Sequence, residues 1–301
     1  MPVYNGERYL EEALQSILTQ TFEDFELIIS DNASTDRTGE ICRAYAEKDD
    51  RIRYVSMAQN IGVIENFNTA FRLSTGRYFK WAAADDVCGR DYLQQAVDVL
   101  DHEPSVVLVW ARIVGIDENG EPAALPNEVS DLNSAVSVYS PDPVVRFRRL
   151  LRNMWWVDGP LYGVIRSGTL ASTRWLHPRH MSGDQILLTE LSLMGRFYEL
   201  PAETFYSRVH PNKTSRQHRT LRDRAALIDR RVPSPGPAGW WRLVRGYPQR
   251  LAMYTTIIWT SGIPLMHKLL CQAEVARTVA SWAWFRARQV ASGASPWRNA
   301  A

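Results

Sequence analysis

The chain has 301 residues, of which 45% are hydrophobic and 23% are charged, and its formal net charge is +2. This composition is typical of a globular protein and excludes a disordered chain, while the length allows one large domain with extensions or two small domains. Three cysteines, an odd number without a CxxC pair, exclude a disulfide framework and favour reduced thiols in the cytoplasm.

The charge is distributed unevenly along the chain. From Arg216 onward, fourteen Arg and Lys stand against three acidic residues, so this part carries +11 and residues 1–215 carry −9. The same part holds six of the 11 tryptophans, and basic residues mixed with Trp are typical of a segment that meets an anionic membrane surface. Nucleic acid is the other polyanion to consider, but no nucleic-acid motif accompanies the charge, so we expect no such partner.

The first hundred residues alternate between helical and extended patterns. We predict helices over 7–20, from Ser34, over 62–73 and over 92–100, and strands over 25–30, 51–56, 78–83 and 106–110. Alternating strands and helices predict an α/β fold, with a mostly parallel, Rossmann-like sheet and helices on both faces. In such sheets ligands bind beyond the carboxyl ends of the strands.

The rest of the chain divides by composition. Residues 112–215 are irregular and rich in proline, with a predicted helix over 184–194 and an extended segment over 197–210. Residues 232–239, VPSPGPAG, have the composition of a linker, and the following residues are predicted to be mostly helical. The uncharged run 251–266 is shorter than the roughly 20 apolar residues of a spanning helix, which predicts an interfacial or buried segment.

Two adjacent carboxylates, Asp85 and Asp86, follow the predicted strand 78–83. Neighbouring like charges repel each other, and a divalent cation would offset that repulsion. Mg²⁺ and Mn²⁺ take oxygen ligands, typically one or two carboxylates together with phosphate oxygens. The competing interpretation is an N-cap, in which Asp86 or Asp91 caps the following helix.

Two other carboxylates have a position that suits a site. Asp31 follows the predicted strand 25–30, where a carboxylate can accept hydrogen bonds from a ribose or a base, although an Asp- and Asn-stabilised turn is the simpler interpretation. Asp184 begins the predicted helix 184–194, where it is either a cap or a general base.

Four segments together resemble the family 2 glycosyltransferases, inverting enzymes of the GT-A fold. They are the opening MPVYNGERYLEEALQSILTQTFEDFELIISDNASTD, the segment NIGVIENFNTAF with Asn60, the segment GRYFKWAAADDV, and GDQILLTELSLMGRFYELP followed by YSRVH. The resemblance covers about residues 1–215 in the family's order. It implies a nucleotide-sugar-binding half over 1–111 and an acceptor-binding half of the same domain over 112–215. Composition and pattern predict a basic, Trp-rich helical extension over 216–301.

The resemblance also implies a site. Residues Pro2, Tyr4 and Asp31 would surround the nucleoside, with Glu7 and Asn60 as further donor-binding candidates. Asp85 and Asp86 would bind the diphosphate and, with His210, a Mn²⁺ or Mg²⁺ ion. Asp184 would be the catalytic base that deprotonates the acceptor hydroxyl, and Arg208 would lie near the diphosphate.

We therefore expect a metal-dependent, inverting transfer of a single sugar, from a nucleoside diphosphate sugar that we expect to be UDP-linked. The expected acceptor is a cell-envelope or lipid-linked glycan, and the expected location is the inner face of the plasma membrane. Two departures from the family pattern are Ala83, where an acid often stands, and the absence of the Q-x-x-R-W signature of processive synthases. The chain also starts at the turn that usually follows an apolar strand, from which we hypothesise a start further upstream.

Two alternatives remain open at this stage. A sugar nucleotidyltransferase would want a Gly-rich phosphate loop with basic residues, which PVYNGERYL does not supply. A catalytically degenerate binding subunit is slightly favoured by Ala83 and the missing first strand, and it is opposed by the residues Asp85, Asp86, Asp184 and His210.

Overall fold

The computed structural model describes residues 1–125, 138–152, 158–176, 183–211 and 250–291. The predicted linker 232–239 and the segment that lacks the Q-x-x-R-W signature lie outside these ranges. Helices and strands alternate through the first half, as the sequence predicts. Their bounds in chain order are β1 Pro2–Val3, α1 Leu10–Leu18, β2 Leu27–Asp31, α2 Thr38–Ala46, β3 Ile52–Ser56, α3 Val63–Arg72, β4 Tyr78–Lys80, β5 Val87–Cys88, α4 Tyr92–His102 and β6 Val106–Ile116.

The second half contains both short and long elements. The bounds are α5 Pro143–Arg152, α6 Asp158–Leu161, β7 Val164–Arg166, α7 Ser167–Ala171, α8 Gly183–Met194, β8 Arg196–Arg208, a helix α9 over 250–260, and α10 Leu265–Ala291. The predicted helix 184–194 and the predicted extended segment 197–210 are confirmed as α8 and β8. The predicted boundary after residue 111 falls inside β6, so the two predicted halves share this strand.

The strands form two sheets. The first has the order β1-β2-β3 and is parallel throughout, with Val3 opposite Asp31 and Asp31 opposite Ser56. The second has the order β4-β7-β6-β8-β5, in which β6 and β8 run parallel while the pairs β4-β7, β6-β7 and β5-β8 run antiparallel. The prediction of one mostly parallel sheet is therefore wrong for the second sheet. Its antiparallel partners, β5 and β7, are two and three residues long, too short to give a periodic signal.

Two predicted boundaries also need correction. The strand predicted over 78–83 ends at Lys80, because Trp81 turns into the core, where its ring is fully buried and its Nε1 donates to the carbonyl of Phe67. The helix predicted from Ser34 begins at Thr38 instead. The Oγ of Ser34 accepts a hydrogen bond from the backbone of Asn5 at 2.9 Å, so Ser34 joins two loops rather than capping a helix.

The helices α9 and α10 pack on the second half of the domain. Tyr254 and Ile258 of α9 and Val275 of α10 are buried in one cluster with side chains of α5 and α8. The buried carboxylate of Glu274 on α10 forms ion pairs with three arginines, namely Arg148, Arg152 and Arg277 at 3.2, 3.2 and 2.7 Å. The helices α9 and α10, which belong to the basic extension, therefore pack on the domain. The run 251–266 is partly buried, and a buried segment was one of the two outcomes predicted for it.

The three cysteines are free and buried, in keeping with the predicted reduced thiols. Burial raises the pKa of the Cys42 and Cys271 thiols to about 12, so both are protonated and unreactive at neutral pH. Among the described residues, no helix has the length and apolarity that crossing a bilayer would require.

Candidate active site

The carboxylate of Asp31 lies at the carboxyl end of β2, where it is buried. Its Oδ1 accepts a hydrogen bond from the backbone of Ser34 at 2.9 Å, and its Oδ2 accepts one from the hydroxyl of Tyr54 at 2.7 Å. Burial and the bond to Asp31 raise the pKa of Tyr54, which keeps the phenol protonated as a donor. The turn predicted as the simpler interpretation is present, and a role in donor binding stays a prediction.

The first loop, residues 4–7, is tied to the loop that follows β2. The side chain of Asn5 accepts from the backbone of Thr35 at 2.8 Å, and the side chain of Glu7 accepts from the backbone of Arg37 at 2.9 Å. A Cβ on Gly6 would lie 3.5 Å from the Cβ of Ala84, so this loop also lies against the residue before Asp85. The structure thus brings the predicted donor-binding residues of the first two loops next to the acidic pair, with Tyr4 exposed and Pro2 buried.

Asparagines behind β1 and β2 hold these loops. Asn60 accepts from the side chain of Asn32 at 3.2 Å and from the backbone of Gly62 at 3.0 Å, which fixes the entrance to α3. Asn66, which sequence reasoning missed as a site residue, is buried; it donates to the carbonyl of Ser30 at 3.0 Å and accepts from the Ser30 hydroxyl at 2.6 Å. The sequence signal for Asn66 is a polar side chain on the buried side of an amphipathic helix.

The acidic pair lies in the connection between β4 and β5 rather than directly at a strand end. The buried carboxylate of Asp86 accepts a hydrogen bond from the backbone of Arg208 at 2.9 Å. The Oδ2 of Asp85 lies 3.0 Å from Nε2 of His210. The alternative of a helix cap is therefore wrong for Asp86. Asp91 is the N-cap residue of α4, but its side chain makes no capping hydrogen bond.

Arg208 is the centre of the contacts around this pair. Its guanidinium is fully buried and donates to the carbonyl oxygens of Asp85 and Asp117 at 3.1 and 2.9 Å and to the carboxylate of Glu12 at 2.5 Å. It lies over the ring of Tyr9, 4.8 Å from the ring centroid. The residues Glu12, Asp117 and Tyr9 were not predicted from the sequence, since their relation to Arg208 exists only after β6, β8 and α1 have come together.

Each of the two acidic side chains therefore has a different protein partner. A backbone N–H offsets the charge of Asp86, and the imidazole lies beside Asp85. Asp85 is also the more accessible of the two, since Asp86 is buried and Asp85 is partly exposed. Asp85 is thus the carboxylate that a ligand can reach.

The residues present fit a divalent cation at Asp85 and His210. Adjacent ligands of an octahedral cation with bonds of about 2.1 Å lie about 3.0 Å apart, which is the separation of these two atoms. The other ring nitrogen of His210, Nδ1, is buried and has no hydrogen-bond partner among the described residues. The same residues contain no group of three His, Cys, Asp or Glu side chains that could hold a metal, so phosphate oxygens and water would have to complete the coordination.

Asp184 lies in the first turn of α8, where its Oδ1 accepts from the backbone of Gln185 at 2.8 Å. The side chain of Gln185 in turn accepts from Arg250 of α9 at 3.2 Å. Burial raises the pKa of the neighbouring Tyr254 to about 12, and the charge of Asp184 acts in the same direction. Asp184 is half-buried and lies beside α9. Its role as a base stays a prediction.

The loops at the carboxyl ends of the parallel strands lie beside an accessible carboxylate that is paired with an imidazole, and a buried Arg lies beneath them, which is where α/β folds place their ligand sites. The family model "Glycosyl transferase family 2" matches residues 1–153 of the chain. The chain belongs to this family.

Curated relatives and solved structures agree with the family. Glycosyltransferase GlyA of Streptococcus pneumoniae is 38% identical over 94 residues, which are 31% of this chain and 13% of that protein. The minor teichoic acid biosynthesis protein GgaB of Bacillus subtilis is 32% identical over 113 residues, 37% of this chain and 13% of that protein. The chain thus spans well under half the length of these relatives.

Two solved structures share the fold. The S. aureus TarS fragment 1–349 in complex with UDP-GlcNAc gives a TM-score of 0.64 at 19% identity, covering 91% of this chain and 70% of that chain. Mannosyltransferase PcManGT from Pyrobaculum calidifontis in complex with GDP-Man and Mn²⁺ gives 0.54 at 20% identity, covering 99% and 80%. At these identities the likeness establishes the fold alone.

Proposed function

We propose that this glycosyltransferase transfers a single sugar from a UDP-linked donor to a hydroxyl acceptor with inversion, and that the transfer depends on a divalent cation. The observation that carries the proposal is the 3.0 Å pair of Asp85 and His210, because it fits two adjacent ligands of an octahedral ion. The donors in the complexes of TarS and PcManGT, UDP-GlcNAc and GDP-Man, support a nucleotide-sugar donor here.

In this proposal the residues have separate tasks. Asp85 and His210 hold Mn²⁺ or Mg²⁺, which when bound neutralises charge on the departing diphosphate. Asp86 and Arg208 fix the backbone that carries Asp85 and His210. Pro2, Tyr4, Glu7, Asp31 and Asn60 surround the nucleoside, within a donor half over 1–111.

Asp184 removes the proton from the acceptor hydroxyl as that oxygen attacks the anomeric carbon from the face opposite the leaving diphosphate. The proton passes to the carboxylate and the new glycosidic bond forms as the bond to the diphosphate breaks. The acceptor half covers 112–215. A degenerate binding subunit would bind the donor and transfer nothing.

For the acceptor we propose a cell-envelope or lipid-linked glycan, and for the location the cytoplasmic face of the plasma membrane. The likeness to a protein of teichoic acid biosynthesis supports an envelope acceptor. The basic, Trp-rich residues from 216 onward support a membrane surface as a partner.

Titration calorimetry with UDP in the presence and absence of Mn²⁺ tests the cation site. We expect Mn²⁺ to raise the UDP affinity of the wild type and of the control Asp98→Asn, whose side chain is exposed on α4, and to have no effect on Asp85→Asn or His210→Gln. An unchanged Mn²⁺ effect in both site variants would refute the assignment. A thermal-shift screen of UDP- and GDP-sugars with Mn²⁺ then identifies the donor.

The base is tested by Asp184→Asn. Since general bases contribute about 100- to 10,000-fold, we expect a loss of transfer in that range with unchanged UDP affinity. Transfer at the rate of the wild type would exclude Asp184 as the base. Donor binding without any transfer by the wild type, across the donor and acceptor panel, would favour the degenerate binding subunit.

A further inference from the structure

The turn between α9 and α10 presents an apolar surface. Residues 261–264 join the two helices, whose inner faces are buried against α5 and α8. On the outer face, large apolar side chains stand 45% to 65% exposed. We call them the hairpin-tip patch; its members are Trp259, Leu265, Met266, Leu269 and Leu270.

The position of these residues on α10 explains why they are exposed together. Leu265 and Leu269 are four residues apart, as are Met266 and Leu270, so they follow one side of the helix. Cys271 and Val275 follow the other side and are buried. With Trp284, six of the nine exposed large apolar residues of the described ranges lie on these two helices. Such a concentration marks a contact surface rather than the scattered apolar exposure of an ordinary surface.

The charge around the patch is positive. Between residues 251 and 273 the sequence contains Lys268 and not one Asp or Glu. The ammonium of Lys268 donates to the carbonyl of Trp259 at 3.2 Å, so it lies beside the patch. The first carboxylate that follows, Glu274, is buried and paired with arginines. The surface around the apolar side chains therefore matches an anionic partner.

This charge decides between two occupants. In a symmetric dimer the same patch would face itself, so the Lys268 side chains of both copies would be brought together without a carboxylate of residues 251–273 between them. An anionic bilayer offers acyl chains to the Leu and Met side chains, the headgroup level to Trp259, and negative charge to Lys268.

We propose that the hairpin-tip patch inserts into an anionic membrane leaflet and attaches the protein to its surface without spanning it. Neither α9 nor α10 is apolar enough to cross the bilayer, so the attachment is interfacial. Transfer of each Leu side chain from water into acyl chains favours binding by roughly tenfold or more. The proposal does not depend on the sugar donor or on the base.

Sedimentation with vesicles tests the proposal in the full chain. We expect binding to vesicles of phosphatidylcholine with 30% phosphatidylserine and a partition coefficient about 100-fold lower for the double variant Leu265→Ser/Leu269→Ser. Lys268→Gln should weaken binding to these vesicles and leave binding to pure phosphatidylcholine unchanged. The control Met194→Ser removes an exposed apolar side chain of α8 and should bind as the wild type does.

Circular dichroism and sedimentation velocity complete the design. All these side chains are exposed or lie at the surface, so the melting temperatures should stay within a few degrees of that of the wild type. Equal partitioning of the wild type and the double variant would overturn the proposal. So would a wild-type dimer that the double variant loses in the absence of vesicle binding, since the occupant would then be a second copy.

Discussion

Replacing Arg208 by Met is expected to lower the free energy of unfolding by about 2–3 kcal/mol. The guanidinium is fully buried, and its loss removes a donor from the carbonyl oxygens of Asp85 and Asp117, of which that of Asp117 keeps the hydrogen bond from the backbone of Gly120 at 3.2 Å. A buried acceptor left unsatisfied costs about 1–3 kcal/mol, and Met retains most of the aliphatic volume. The carboxylate of Glu12 adds little, because 51% of its side chain is exposed and stays hydrated without the arginine.

Glu12→Gln is the matched control, since it removes the charge of the partner and keeps an acceptor for Arg208. Because the pair is more than one third exposed on the Glu12 side, solvent screens it and the expected cost is at most about 1 kcal/mol. Arg208→Lys keeps a cation that can reach one of the carbonyl oxygens, so we expect an intermediate loss.

Urea unfolding followed by circular dichroism at 222 nm measures these differences through the transition midpoint. UDP affinity is measured on the same preparations. A midpoint of Arg208→Met equal to that of the wild type, together with a loss of UDP affinity, would show that Arg208 contacts the diphosphate instead of fixing the backbone beneath Asp85. Equal losses in Arg208→Met and Glu12→Gln would also refute the reasoning, because the ion pair would then carry the stability.

Two further predictions concern buried polar side chains. Burial lowers the pKa of Lys80 below its usual 10.5, so between the lowered pKa of the folded state and about pH 10.5 the unfolded chain binds more protons, and the stability of the wild type relative to Lys80→Met should rise with pH in this window; a difference between the urea midpoints that is independent of pH would contradict this. Asn66→Ala should lower the free energy of unfolding by about 2–3 kcal/mol, because it leaves Ser30 without its bonds to the amide. Asn119→Ala at an exposed turn should change it by less than about 0.5 kcal/mol, and equal effects of the two asparagine variants would be the contrary result.

The helices and the central strands of the first sheet could be predicted because their signals are local. The helices α1, α3 and α4 and the strands β2 and β3 lie within a few residues of the predicted bounds, since apolar period and strand length are properties of consecutive residues. The short strands β5 and β7 of the second sheet could not be predicted in the same way. A two-residue strand such as β5 is defined by its pairing with β8, and that pairing joins residues more than a hundred positions apart.

The residues of the candidate site also differ in whether the sequence could predict them. Asp31 and Asp85 stand out in the sequence because a carboxylate that follows an apolar strand loses hydration when it is partly buried, and a binding site accounts for a charge at such a position. The expectation that Arg208 lies near the diphosphate stays a prediction, and the structure adds that Arg208 is buried under Asp85, in contact with Glu12 and Asp117. The sequence could not give this arrangement, since nothing in consecutive residues tells which of several arginines will lose its water.

By itself the sequence determined the residue types, the order of elements and the family, together with the excess of positive charge and tryptophan in the last part of the chain. The tertiary structure decided which side chains meet: it set the carboxylate of Asp85 3.0 Å from His210, and it left the apolar side of α10 uncovered near residue 265. The physical reason is that composition and period fix how much polar and apolar surface a segment has, whereas burial depends on which segments pack against each other.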